Sequence, residues 1–290
     1  MLMLSDARAE ESVAATHGAP PVPSAGVVHI LSADLADAPL YHPMLTWAET
    51  ARAERETDDS AYGLAIVSAG LLRHAAAMLT GMPASSADIG HWCRLCRTVG
   101  DHGRPVAFDP SGRTIPSVYL SCTRAGETVL VAASAHAPVG IDTVEPDAVP
   151  ADGLPRHSLC EQEQGFFDRI ASDKRDAWWL RTWARKEAVL KATGLGLALA
   201  PNLLDVSGGI LHSWPRELDG DVSDGVQIVD LDRVPGGQIA AVAFLGPRRP
   251  MVVAAHPPQP FYLSTQRSGH RPAMVVTRHA SSVMGARLSA

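Results

Sequence analysis

The sequence predicts an α+β fold of two similar halves, on three observations. Signals for helix followed by signals for strand occur once before Asp142 and again after it. Hydrophobic residues fill 46% of the 290 positions and charged residues 19%, the balance of a chain that buries a core. No short-period repeat interrupts that layout. The chain divides into a flexible tail (1–26), an N-terminal half-domain (27–138), a C-terminal half-domain (139–250) and a flexible C-terminal extension (251–290).

Taken in order, residues 1–26 mix alanine, proline, glycine and acidic residues without periodicity, which predicts a loose tail. Helical signals follow at Pro43–Glu54 and Ala61–Leu79, where Leu64, Val67, Leu71 and Leu72 recur at helical spacing. Ser117–Ser121, Thr128–Ala133 and Val139–Asp142 read as strands. A polar, proline-rich loop leads into a helix over Gln162–Ile170. The strongest helix runs from about Asp173 to Thr193, with Gly194 as its stop. Asn202–Val206, Val226–Asp230 and Gln238–Leu245 read as strands, and from His256 onward the pattern fades.

The net charge of −6 argues against wholesale nucleic-acid binding, since phosphate backbones select basic surfaces. No apolar run approaches the length needed to span a bilayer, so no membrane partner is expected. The N-terminus lacks a basic region followed by an apolar core. Four cysteines are too few for a disulfide scaffold at this length. A cytoplasmic monomer is expected.

Two segments carry chemistry. In Val139-Gly-Ile-Asp142 a strand ends in an acid, which projects Asp142 at the rim of a sheet. In the strong helix, Trp179, Trp183, Glu187 and Lys191 are each four apart and share one face, an apolar wall leading into a carboxylate and then an amine. Alone, a Glu–Lys pair at this spacing is a surface pair and a strand-end Asp is a turn residue. In this order and wording, the two segments are far more specific.

Together they resemble the 4′-phosphopantetheinyl transferase superfamily, whose hallmarks are a Val/Ile-Gly-Ile/Val-Asp strand and a Trp-x-x-Lys-Glu-Ala/Ser-x-x-Lys helix. Here the helix reads Trp183-Ala-Arg-Lys-Glu-Ala-Val-Leu-Lys191 and continues Ala192-Thr-Gly-Leu-Gly-Leu197. The length favours the Sfp-type branch, with two pseudo-twofold-related halves and the active site between them. The resemblance implies transfer of 4′-phosphopantetheine from coenzyme A to a serine of an apo acyl, peptidyl or aryl carrier protein, releasing 3′,5′-ADP. The implied cofactor is Mg2+, with Mn2+ as an alternative, held by Asp142 and Glu187. Glu187 and Lys191 are the implied catalytic residues. Lys186 and Lys191 would contact phosphate, and Arg104, in Gly103-Arg-Pro105, would reach a coenzyme A phosphate. Arg73, Ser121, Cys122 and Arg124 complete the expected coenzyme A site.

Three departures stand out. The family's Ser-His is Ser121-Cys122, which removes an imidazole, with Arg124 nearby. Its Asp-x-Glu is Asp142-Thr-Val144, with the acid one residue later at Glu145; Glu145 is a candidate third ligand only if the strand has already ended. The arginine often found just before the first-half helix is replaced by Ser60-Ala-Tyr62. These leave an alternative: a weakened or repurposed relative that binds coenzyme A or carrier without transfer. Separately, Cys93 and Cys96, with His91 and His102 near them, offer an incomplete zinc ligand set, for which a local structural role is the simpler reading.

Overall fold

The computed structural model describes residues 26–149, 155–232 and 234–255. The tail over 1–26 (Gly26 apart) and the extension from 256 onward lie outside the described residues. The chain is α+β, as predicted. It runs β1 (Val27–Asp34), α1 (Ala38–Tyr41), α2 (Trp47–Ala53), α3 (Asp59–Thr80), β2 (Asp88–Cys93), β3 (Thr98–Gly100), β4 (Arg104–Phe108), β5 (Tyr119–Ala125), β6 (Thr128–Ser134) and β7 (Val139–Val144). There follow α4 (Glu161–Arg169), α5 (Arg175–Thr193), α6 (Asp219–Val222), β8 (Val226–Leu231), β9 (Ile239–Leu245) and β10 (Met251–Ala255).

The first sheet has the order β10-β1-β6-β5. One face is apolar: Leu31, Val129 and Val131 pack against Ile66, Val67 and Leu71 of α3. Asp58 caps α3 by accepting the Ala61 N–H at 2.8 Å, and Thr46 and Glu49 form a reciprocal capping box on α2. With 22 residues and a mean hydropathy of 1.4 in its most apolar window, α3 is long and apolar enough to cross a membrane. This corrects the expectation that no segment is. Here that apolarity is spent on the core, and the helix carries a buried ion pair, Arg73 to Glu49 at 2.9 Å.

The second sheet, β7-β9-β8, is antiparallel and carries α5 on one face through Ala188, Val189 and Ala192. Gly140 makes that contact possible. A Cβ there would lie 2.0 Å from the Ala188 carbonyl oxygen, so only glycine lets the helix backbone come this close to β7. α5 ends where predicted, on Gly194 in the left-handed conformation (φ 74°). Phe244, Val242 and Ile141 share a further apolar layer with Val28 and Leu130 of the first sheet, which joins the two sheets.

Side chains stitch the seam between β5 and β7. Ser121 Oγ accepts the Ile141 N–H at 3.1 Å, and Thr123 Oγ1 accepts the Thr143 N–H at 3.3 Å. Three expectations are corrected. Met251–Ala255 is not part of a flexible extension: it pairs parallel with β1 over Val27–Leu31, returning the end of the second half to the first sheet. Asn202–Val206 is not a strand. Pro201 starts a 3-10 turn, Asp205 makes only an isolated bridge to Ser213, and buried Leu204 and Val206 imitate strand alternation. A small sheet, β3-β2-β4, occupies 88–108, where no strand was predicted because the strands are short and carry Gly90, Gly100 and Pro105, residues that strands disfavour.

Candidate active site

Asp142 lies near the end of β7 and is 7% exposed; Glu187 lies mid-way along α5 and is 8% exposed. Both face one cleft of ≈ 730 Å³, with Trp183 and Lys191, which residues of the first and second sheets line together. Lys191 Nζ donates to Asp142 Oδ1 at 2.7 Å and to the Ile141 carbonyl at 3.1 Å, and Thr123 Oγ1 donates to the same Asp142 oxygen at 3.1 Å. Glu187 is different: its Oε1 is buried without a hydrogen-bond partner among the described residues. Burial first, and the charge of Asp142 second, push its carboxyl up to about 7, with Lys191 opposing. A buried orphan carboxylate oxygen beside a second carboxylate is a donor set that fits a hard divalent cation, which takes oxygen ligands and relieves this repulsion. Trp183 stacks on Trp179 with centroids 5.4 Å apart, walling the cleft as the four-residue spacing implied.

Arg124 also lines the cleft, where it pairs with Glu56 at 3.3 Å. Cys122 sits on the wall shared with an adjoining cavity of ≈ 350 Å³, and its low-dielectric surroundings raise its thiol, keeping it neutral. Arg104 and Ser121 line that second cavity, as Lys191 does. The Arg104 side chain makes no hydrogen bond or ion pair among the described residues, so its guanidinium is available to an anion. Ser121 is committed to the seam through Ile141.

The structure moves three expected residues out of the site. Arg73 is 1% exposed: it is held by Glu49, by Asp88 at 3.3 Å and by the Ala84 carbonyl at 3.2 Å, and it does not reach the cleft. Lys186 is fully buried against Glu163 at 2.6 Å, on the side of α5 away from the cleft. Glu145 is exposed just past the end of β7, and its carboxylate lies over Gly126 rather than in the cleft. Val144, where the branch usually has its third acid, lines the cleft as an apolar residue.

Sequence reasoning missed His91, Arg52 and Arg55. His91 of β2 lines the cleft, hydrogen-bonds Arg52, and is lowered to about 4 by burial and then by Arg52 and Arg124, so its ring is neutral. Arg52 of α2, with Arg55 just beyond it, borders the same space and pairs with Asp101. These supply an imidazole and two guanidinium groups in the region where Cys122 and Ser60-Ala-Tyr62 leave the family's basic residues absent. Spacing gives no signal for them, because α2 and β2, some forty residues apart in the chain, converge to bring them together.

Comparison with known proteins follows this geometry. Residues 138–215 match the sequence model of the 4′-phosphopantetheinyl transferase superfamily. A 97-residue stretch is 31% identical to the 4′-phosphopantetheinyl transferase psf-1 of Bacillus pumilus, covering 33% of this chain and 39% of that protein. The chain thus spans about two fifths of the length of the curated relative it matches. The stretch that carries Asp142, Glu187 and Lys191 is a match to the 4′-phosphopantetheinyl transferase superfamily, and the likeness read from its two motifs is shown.

Proposed function

We propose that the protein transfers 4′-phosphopantetheine from coenzyme A to a serine of an apo acyl, peptidyl or aryl carrier protein, in a reaction that depends on Mg2+. The observation that carries this reading is the orphan Oε1 of Glu187, buried beside Asp142 in a cleft that Lys191, Arg52, Arg55 and Arg124 also line. Asp142 and Glu187 would hold the cation, which when bound supplies charge neutralisation at the diphosphate oxygens.

The chain's own residues account for the rest. Lys191 orients Asp142 through its 2.7 Å bond, and its remaining N–H is free to meet a phosphate oxygen. Arg104 holds a further phosphate in the adjoining cavity, and Arg52, Arg55 and Arg124 line the cleft and would exchange their partners Asp101 and Glu56 for phosphate oxygens. The carrier serine oxygen bonds to the β-phosphorus as the bond to 3′,5′-ADP breaks. The serine proton passes to a carboxylate, and Glu187, buried in the cleft with Oε1 unpartnered, is the one placed to take it. Trp183 and the buried wall limit water in competition with the serine.

The test is intact mass of an apo carrier incubated with coenzyme A, Mg2+ and the protein. Wild type adds a single phosphopantetheine, and Glu187→Gln slows the addition by about 10³-fold or more. Equal rates for the two sink the assignment. Val144 in the cleft favours one second reading, a relative that binds without transfer. Calorimetric binding of coenzyme A by wild type, with no mass gain on any carrier in a panel, selects it.

A further inference from the structure

We propose that Cys93, Cys96 and His102 bind a zinc-type divalent ion, distinct from any held by Asp142 and Glu187, with a fourth position open to the cavity of Arg104. Their ligand atoms (two sulfurs and an imidazole nitrogen) all lie within 4.8 Å of one another. Tetrahedral zinc with its usual bond lengths places such atoms about 3.5–3.8 Å apart, so little movement is needed. Cys96 Sγ already stands 3.3 Å from His102 Nε2.

The backbone is shaped for the purpose. Cys93 ends β2 and the chain reverses at once, with Arg97 in the left-handed region (φ 55°) and its N–H on the Cys93 carbonyl at 2.8 Å. The Cys96 N–H points at Cys93 Sγ from 3.4 Å, a donor that stabilises sulfur carrying negative charge. Residues 101–103 then bring His102 back across the turn from between β3 and β4. All three side chains line the ≈ 350 Å³ cavity shared by Arg104 and Lys191, which is where the fourth position opens.

Softness separates this site from the carboxylates. Two thiolates and an imidazole select zinc over magnesium, whereas two carboxylates suit hard magnesium. A second cluster, Cys160 with Glu163 and Asp205, is not comparable, because Lys186 already supplies its cation. A bound ion would have a structural consequence. Arg94, inside the turn, donates to the Thr193 carbonyl at 3.1 Å and pairs with Asp221, tying the turn to the end of α5. Closing the turn onto His102 would fix the loop leading directly into Arg104.

The experiment uses the full chain without an affinity tag, purified under reducing conditions from zinc-supplemented culture and gel-filtered before elemental analysis. Wild type and the control Cys160→Ser carry close to one zinc per chain. Cys96→Ser and His102→Ala lose most of it while keeping the wild-type circular dichroism spectrum. Cobalt added to metal-stripped protein gives a thiolate-to-cobalt charge-transfer band in wild type that Cys96→Ser lacks, with excess Mg2+ present throughout. Folded wild type with neither zinc nor the cobalt band overturns the proposal, as does a Cys93–Cys96 disulfide in protein that takes up no metal after reduction.

Discussion

Two lysine–carboxylate pairs lie five residues apart on α5. Lys186 meets Glu163 at 2.6 Å with both side chains at 0% exposure. Lys191 meets Asp142 at 2.7 Å with the side chains 27% and 10% exposed. The contacts are alike in length and chemistry and differ in completeness. Lys186 also donates to the Pro201 carbonyl at 2.9 Å and the Leu204 carbonyl at 2.7 Å, so its three N–H groups are all used. Glu163 accepts the N–H groups of Cys160 and Val206, each at 3.0 Å. That pair is closed, clamping the start of α4 and the 201–206 segment onto α5. Lys191 has two partners and a face toward the cleft, beside a glutamate with none at Oε1. A satisfied network holds a fold together, whereas one left partly unsatisfied is where a ligand can bind.

Breaking the closed pair has the largest expected effect. Lys186→Met leaves Glu163 buried without its cation and lowers unfolding free energy by about 3–5 kcal/mol in urea denaturation. A loss under about 1 kcal/mol would show that the pair is not the clamp described. The open pair behaves in the opposite way. Lys191→Met changes stability by about 1 kcal/mol or less, yet slows carrier modification by roughly 10²–10³-fold. If stability falls as far as for Lys186→Met, the contrast between the pairs is lost.

Next is pH. Glu187 titrates at about 7 when folded against an ordinary 4.5. Between those values the native protein holds a proton that the unfolded chain has released, so stability falls as pH rises through this window. The whole change is on the order of 3 kcal/mol. Urea denaturation of metal-free protein at pH 5 and pH 8 measures it, and Glu187→Gln should flatten the slope. Added Mg2+ should oppose the loss at pH 8, where the carboxylate is ready to bind. The smallest effect is Arg104→Ala: about a tenfold rise in KM for coenzyme A with kcat little changed, and a stability change within about 0.5 kcal/mol. A fall in kcat at constant KM would move Arg104 from binding to the reaction itself.

The comparison also explains which site residues were legible. Asp142, Glu187 and Lys191 could be read because their geometry is local: a strand end sets the first, and a four-residue helical period sets the other two. Arg73 and Lys186 look like phosphate ligands in a one-dimensional pattern. Their fates rest on Glu49 and Glu163, which come from other elements and neutralise them in the core. Glu145 is an intermediate case: β7 ends at Val144, so alternation does not fix it, and the turn that follows carries its carboxylate over Gly126, outside the cleft.

By itself the sequence determined the long helices, the α5 stop at Gly194, the strands flanking the Asp142 motif and the spacing of its three central site residues. These follow from periodicity and capping, which act within a few neighbours. Only the tertiary structure decided that β10 returns to β1, that Gly140 lets α5 lie against β7, and that His91, Arg52 and Arg55 join the cleft. The same holds for which cations are buried and which face the space between the halves. Those outcomes depend on surfaces meeting across the fold, where whether a charge finds a partner is set by packing that no local pattern records.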